Sequence, residues 1–173
     1  MYLALNWGLS SKVILMTKSK NLQAFLDMLA VSEGTSTSKY TKNKGYDVIV
    51  NGIKGEPKIF TDYSKHPNVL VTVNSKGLKS TAAGRYQVLY RYWVAYKKQL
   101  NLKGFYPEDQ DAIAIQLIKE CKALDDIEAG RISQAIEKCR SRWASLPGAG
   151  YGQFEHSVER LVSVYNQAKG SIA

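Results

Sequence analysis

Hydrophobic periodicity changes twice along this chain, and those changes confine the fold more than any other feature. Leu22, Phe25, Leu26 and Leu29 fall at i, i+3, i+4 and i+7, which predicts an amphipathic helix over 21–32. The pattern stops at Gly34 and a polar STSK tract. Between 45 and 73 the character switches to β-rich runs at 47–50, 58–61 and 69–73, the first two joined by the turn-forming tract NGIKGEP. A small antiparallel sheet of two or three strands is expected there. Helical spacing then returns in Leu89, Trp93, Tyr96 and Leu100. Behind a first turn of Pro107, Glu108 and Asp109 come Ala114, Leu117, Ile118 and Cys121. Ile132, Ala135, Ile136, Cys139 and Trp143 form a further face, and Phe154, Val158, Leu161, Val162 and Tyr165 the last, across a glycine-rich loop at 146–153. The order predicts an α+β fold in which a small β lobe and a larger helical lobe flank a cleft.

The chain of 173 residues is long enough for one domain and needs no metal or disulfide to build a core. Its net charge of +9 draws it to polyanions: nucleic acid, anionic lipid or an acidic wall polymer. Charge alone does not choose among them. The lysines gather only modestly, at 39–44 and 97–98, and no helix-turn-helix or RNA-recognition signature organises them. No apolar run reaches the roughly 18–20 residues of a bilayer-spanning helix. No nucleic-acid partner and no stable membrane insertion are therefore expected, and the chain is expected to be monomeric.

Residues 1–16 read MYLALNWGLSSKVILM, apolar but broken by Asn6, Gly8 and Lys12. Without a basic n-region or a clear cleavage site this is a poor signal peptide. Residues 1–20 are expected to be a poorly ordered extension, with an export segment as the other reading, and 21–170 the functional domain. The two cysteines, Cys121 and Cys139, fit either two thiols or a single bridge, and their spacing matches no zinc pattern. No metal site is expected.

Walker, GxGxxG, HExxH and GxSxG motifs are all absent, which excludes the common nucleotide, zinc-protease and α/β-hydrolase chemistries. Three clusters remain. Glu33, in Ser32-Glu33-Gly34, leaves an apolar helix at its C-terminus, where the helix dipole disfavours a carboxylate. Partial burial there keeps a glutamate protonated near neutral pH, the state of a general acid. A solvated glutamate at a fraying helix end is the plainer reading. The second cluster, STAAGRYQ, places small residues before Arg85, Tyr86 and Gln87 and can run close to a substrate. It can equally be a helix start capped by Ser80 or Thr81. The third, GAGYGQ, suits a sugar platform of aromatic face and amide, or a simple helix–helix connection. The 11 tyrosines and three tryptophans suit saccharide stacking or a core, and Trp93 and Trp143 sit on apolar faces.

These clusters lie in pieces that together resemble the endolysins of bacteriophage lambda and its relatives. The pieces are AFLDMLAVSEGT, GYDVIV, FTDYSKHP, LKSTAAGRYQ and WASLPGAGYGQFEH, in that order, over most of the chain. Residues 1–16 have no counterpart. Val31 stands where an aromatic is expected, and Cys121 differs from the relatives, which weakens the case for a bridge. The resemblance implies a lysozyme-like fold and a lytic transglycosylase. Such an enzyme cleaves the β-1,4 bond between N-acetylmuramic acid and N-acetylglucosamine in peptidoglycan glycan strands, leaving a 1,6-anhydro end for host cell lysis. It implies Glu33 as the catalytic residue and no cofactor. Substrate contacts are expected from Ser32, Tyr46, Asp47, Ser80, Gly84, Tyr86, Gln87, Tyr151 and Gln153. It also implies accumulation in the host cytoplasm and action on periplasmic peptidoglycan after a holin-type protein permeabilises the membrane. A hydrolytic muramidase that uses Asp47 or Asp62 as a second carboxylate is the main alternative. Asp47 can instead hold a sugar hydroxyl or a strand turn. A non-catalytic wall-binding module is a more distant alternative.

Overall fold

Helix α1 (Lys20–Ser32) buries Phe25, Leu26, Met28 and Leu29 completely, the face its periodicity predicts. The computed structural model describes residues 18–54, 58–150, 152 and 154–172. The expected extension falls outside these except for residues 18–20, which belong to the domain. Ser19 caps α1 by accepting from the Leu22 backbone N–H at 3.0 Å, and Lys18 pairs with the buried Asp111.

The β lobe is sparser than expected. Among the described residues its sheet is one antiparallel pair, β1 (Val71–Thr72) with β2 (Lys79–Ser80), in register Val71 opposite Ser80. The runs at 47–50 and 58–61 meet only through an isolated bridge, Val48 to Ile59, and Ile49 bridges to Ala83. Hence 69–73 pairs with a segment whose sequence carries no β signal. That pairing follows from the turn at Asn74, whose carboxamide oxygen accepts from the backbone N–H groups of Lys76 and Leu78 at 3.0 Å each.

The helical lobe contains α2 (Tyr90–Gln99), α3 (Pro107–Glu120), α4 (Leu124–Glu128), α5 (Ile132–Cys139) and α6 (Val158–Ser171). Proline opens α3 as expected, and Asp109 turns back to accept from the Gly104 and Tyr106 N–H groups. The short α4 has too few turns to show a period and is not legible in the sequence. Phe154 is not on the last helix: α6 starts at Val158, where Ser157 caps it, and Phe154 is 77% exposed. Helix α1 packs on α6 and α4, and α5 packs on the same two helices. Trp93 and Trp143 are core residues that donate to the Gly104 and Tyr86 carbonyls. Cys121 and Cys139 are free thiols. Among the described residues no helix is long and apolar enough to cross a membrane, and no cluster of potential metal ligands occurs.

Candidate active site

Helix α1 ends at Glu33 because Gly34 follows it. Gly34 adopts φ +70°, and the chain closes with Gly34 N–H to the Val31 carbonyl and Thr35 N–H to the Ala30 carbonyl, both at 3.0 Å. This paired closure satisfies two of the carbonyls that a helix end leaves open. It fixes the Glu33 backbone at the rim of the helix with the side chain leaving the core.

Glu33 is half-buried, and burial pushes its carboxyl up from 4.5 to about 7. Hydrogen bonds from Ser145 oppose that rise without cancelling it. The Ser145 Oγ–H donates to Glu33 Oε1 at 2.6 Å, and Ser145 Oγ lies 2.7 Å from Ser32 Oγ. With Ser145 donating to Glu33, the Ser32 hydroxyl is left to donate to Ser145. His156 completes the frame: its backbone N–H donates to the Ser145 carbonyl at 3.1 Å and its Nε2–H to the Ser32 carbonyl at 3.2 Å. The site therefore joins the end of α1 to the chain between α5 and α6. Ser145 and His156 were not singled out as site residues from sequence. The only available signal is that both lie inside the long piece WASLPGAGYGQFEH.

The 80–87 segment is joined to the chain that follows the glutamate. Thr35 Oγ1–H donates to the Arg85 carbonyl at 2.6 Å, tying the helix end to this segment. Gly84 has φ +79°, and a Cβ on it would fall 2.2 Å from Gln110 Oε1, so no side chain fits. Ser80 Oγ accepts from the Ala82 N–H, and Thr81 Oγ1 accepts from Tyr90 N–H at the start of α2. No helix starts at this cluster: α2 begins at Tyr90 with Leu89 at its cap position, so neither Ser80 nor Thr81 caps a helix of its own, and Thr81 meets α2 only through that bond. Gln87 is half-buried with φ +51°, its amide bonded to the Gly84 carbonyl at 3.0 Å.

Other expected contacts are used inside the protein. Tyr86 is 2% exposed and donates its hydroxyl to Asp111 at 2.7 Å, a packing role that leaves nothing to offer a ligand. Tyr46 donates to the same carboxylate oxygen at 2.8 Å. Burial and the Asp111 charge raise both phenols, so both remain donors. Ser32 is buried, its hydroxyl turned to Ser145. Asp47 is buried too, and its carboxylate accepts from the Thr41 hydroxyl and the Lys42 N–H, which holds the turn before the first β run. Asp62 is exposed and accepts from the N–H and hydroxyl of Ser64, which lower its pKa. In the third cluster the Gly148 and Gly150 N–H groups both donate to the Glu155 carboxylate at 2.8 Å. Tyr151 and Gln153 lie outside the described residues.

A family model described as endolysin matches residues 23–172. The chain belongs to the endolysin family. The endolysin of Escherichia phage P2 is 61% identical over 155 residues, covering 87% of this chain and 94% of that protein. The endolysin of Escherichia phage lambda is 58% identical over 151 residues, covering 87% and 92%. A solved structure of bacteriophage lambda lysozyme complexed with a chitohexasaccharide superposes with a TM-score of 0.81 at 56% identity, covering 90% of this chain and 97% of that one. The α+β architecture is thus the lysozyme-like fold of phage endolysins. Membership carries with it the class of reaction, cleavage of glycosidic bonds in peptidoglycan.

Proposed function

We propose that this endolysin is a lytic transglycosylase in which Glu33 is both acid and base. The observation that carries the reading is the Glu33 carboxyl, raised by burial to about 7, while the two candidate aspartates are each bonded within their own local turns. A hydrolase that retains or inverts configuration uses two carboxylates, about 5–5.5 or 6.5–9.5 Å apart.

The steps follow from where the proton sits. Protonated Glu33 donates to the glycosidic oxygen, and the bond to the anomeric carbon of N-acetylmuramic acid breaks. The substrate's own N-acetyl carbonyl stabilises the positive charge that develops. Glu33, now anionic and still held by Ser145, accepts the proton of the muramic C6 hydroxyl. That oxygen closes on the anomeric carbon to give the 1,6-anhydro ring. A pKa of about 7 suits a group that must be an acid first and a base second. Glycan strands are the substrate: the lambda lysozyme structure holds a chitohexasaccharide, a related β-1,4 polymer. The net charge of +9 favours approach to an anionic wall, in a salt-dependent way. The enzyme accumulates in the host cytoplasm and meets the wall once a holin-type protein opens the membrane.

Mass spectrometry of digested sacculi tests the reading. Anhydro ends are expected. Reducing ends from the wild-type enzyme overturn the transglycosylase assignment, and near-normal digestion by Glu33→Gln overturns the role of Glu33.

A further inference from the structure

The C-terminus of α3 and the last residue of α5 are clamped together on both sides of the two cysteines. Lys138 Nζ donates to the Lys122 carbonyl at 3.1 Å, joining the residues next to Cys139 and Cys121. Arg142 Nη2 reaches Glu120 Oε2 at 3.4 Å, joining their other flanks. Between these clamps the two thiols come within hydrogen-bonding reach of one another, Cys139 S–H toward Cys121 sulfur. Cys139 is fully buried, whereas Cys121 is partly exposed and has Arg142 and Ser141 hydrogen-bonded to it. One thiol is thus accessible beside a cation, and the other is sealed behind it. None of the glycosidic chemistry uses either.

We propose that Cys121 and Cys139 are a dithiol modification site that small disulfides of the glutathione type convert to an intramolecular disulfide, with Cys121 as the attacking and Cys139 as the resolving thiol. Cys121 sulfur attacks one sulfur of the small disulfide. A mixed disulfide forms, and one glutathione thiolate leaves. Cys139 sulfur then attacks Cys121 sulfur and displaces the second glutathione, which takes the Cys139 proton. The protein pair loses two hydrogens, and the small disulfide is reduced to two thiols. The partner interaction and the Arg142 cation bring the Cys121 thiol down to about 6, so it is largely thiolate at neutral pH. The hydrogen bond to Cys121, burial and the Cys121 charge raise Cys139, which keeps it protonated until the mixed disulfide is in place. The bond covalently ties α3 to the chain that continues through Trp143 to Ser145, the residue that holds Glu33. A phage enzyme passing from a reducing compartment to an oxidising one gains a staple next to its site.

The test incubates the folded full-length protein with oxidised glutathione near pH 7.5 and follows intact mass and free thiols. The expected product has lost both thiols, is lighter by about two hydrogens, and yields one peptide crosslinked between Cys121 and Cys139. Its melting temperature rises by about 5–10 °C over the reduced form, since the bond constrains the unfolded chain. Cys139→Ala stops at a stable glutathione adduct on Cys121, and Cys121→Ala stays unmodified. If Cys139→Ala fails to fold, Cys139→Ser replaces it, and the wild-type result stands alone. Wild-type protein that keeps both thiols, accumulates the glutathione adduct without closing, or crosslinks between chains overturns the proposal.

Discussion

Ser145 Oγ stands 2.6 Å from Glu33 Oε1 although 112 positions separate the two residues. Because Ser32 satisfies the Ser145 acceptor side, the serine is a fixed donor to one carboxylate oxygen. Removing it with Ser145→Ala has two separable effects. The bond stabilises the carboxylate, so its loss moves the Glu33 pKa above about 7 and shifts the alkaline limb of the kcat profile to higher pH. The maximal kcat falls about tenfold because the carboxyl loses the bond that orients it, while KM changes little. Ser145→Thr keeps the donor and restores the limb. A pH–rate series on purified murein distinguishes this from a general loss of packing, which lowers the rate without moving the limb.

Glu33→Gln abolishes the acid and removes a buried charge. Cleavage falls by about 10²–10⁴-fold. Stability moves the other way. A carboxyl raised from 4.5 to about 7 on folding binds more protons folded than unfolded in that window, so the wild-type protein loses stability as pH climbs through it. Glutamine has no such loss. The variant is therefore more stable by about 2 kcal/mol above pH 7, a gain that shrinks toward pH 4. Urea titrations at pH 4, 6 and 8 measure it.

The contrast between Glu33 and its partners shows what sequence can carry. The position of Glu33 at the end of the first helix is legible because everything that sets it is local, the face of Leu22, Phe25, Leu26 and Leu29 and then Gly34 to end the helix, whereas its catalytic role comes only from the family resemblance. Ser145 is not legible, since its role exists only where the chain after α5 meets the end of α1. The β lobe failed for a related reason. Two-residue strands and single bridges are too short to show alternation, so 79–80 gave no sign of pairing with 71–72. Tyr86 was misread as a ligand because its partner, Asp111, sits on α3, and nothing around Tyr86 announces a buried carboxylate.

Tyr86→Phe tests that correction. The variant keeps the ring and loses one donor to a buried carboxylate that Tyr46 and Lys18 still serve. Stability drops by about 1–2 kcal/mol. KM for glycan stays within about twofold, since the hydroxyl faces the interior. A rise in KM without loss of stability returns Tyr86 to the substrate.

Asp47→Asn separates the structural aspartate from a catalytic one. Its carboxylate accepts from Thr41 and Lys42, and asparagine can keep only one of these bonds. The melting temperature falls, by an amount matching about 1–2 kcal/mol. Cleavage measured well below that temperature stays within about threefold of wild type. A second catalytic carboxylate would instead take the rate down by about 10²-fold or more.

At Gly84 backbone and packing demand the same residue. Its φ of +79° already disfavours a side chain, and a Cβ would meet Gln110 Oε1 at 2.2 Å and Phe105 Cζ at 3.0 Å. Gln110 cannot yield cheaply. Its Oε1 accepts from the Arg85 N–H at 2.8 Å, and its Nε2 donates to the Phe105 and Tyr46 carbonyls at 2.9 and 3.0 Å. Gly84→Ala therefore forces out a buried amide and loses these bonds together, costing about 3–5 kcal/mol. Gly77→Ala is the control, because Gly77 has φ +81° with open space around it and meets only the backbone strain of about 1–2 kcal/mol. Denaturant midpoints of the two variants give the packing contribution by difference. Equal midpoints would mean that Gln110 moves aside freely and that the 84–87 segment is not anchored through it.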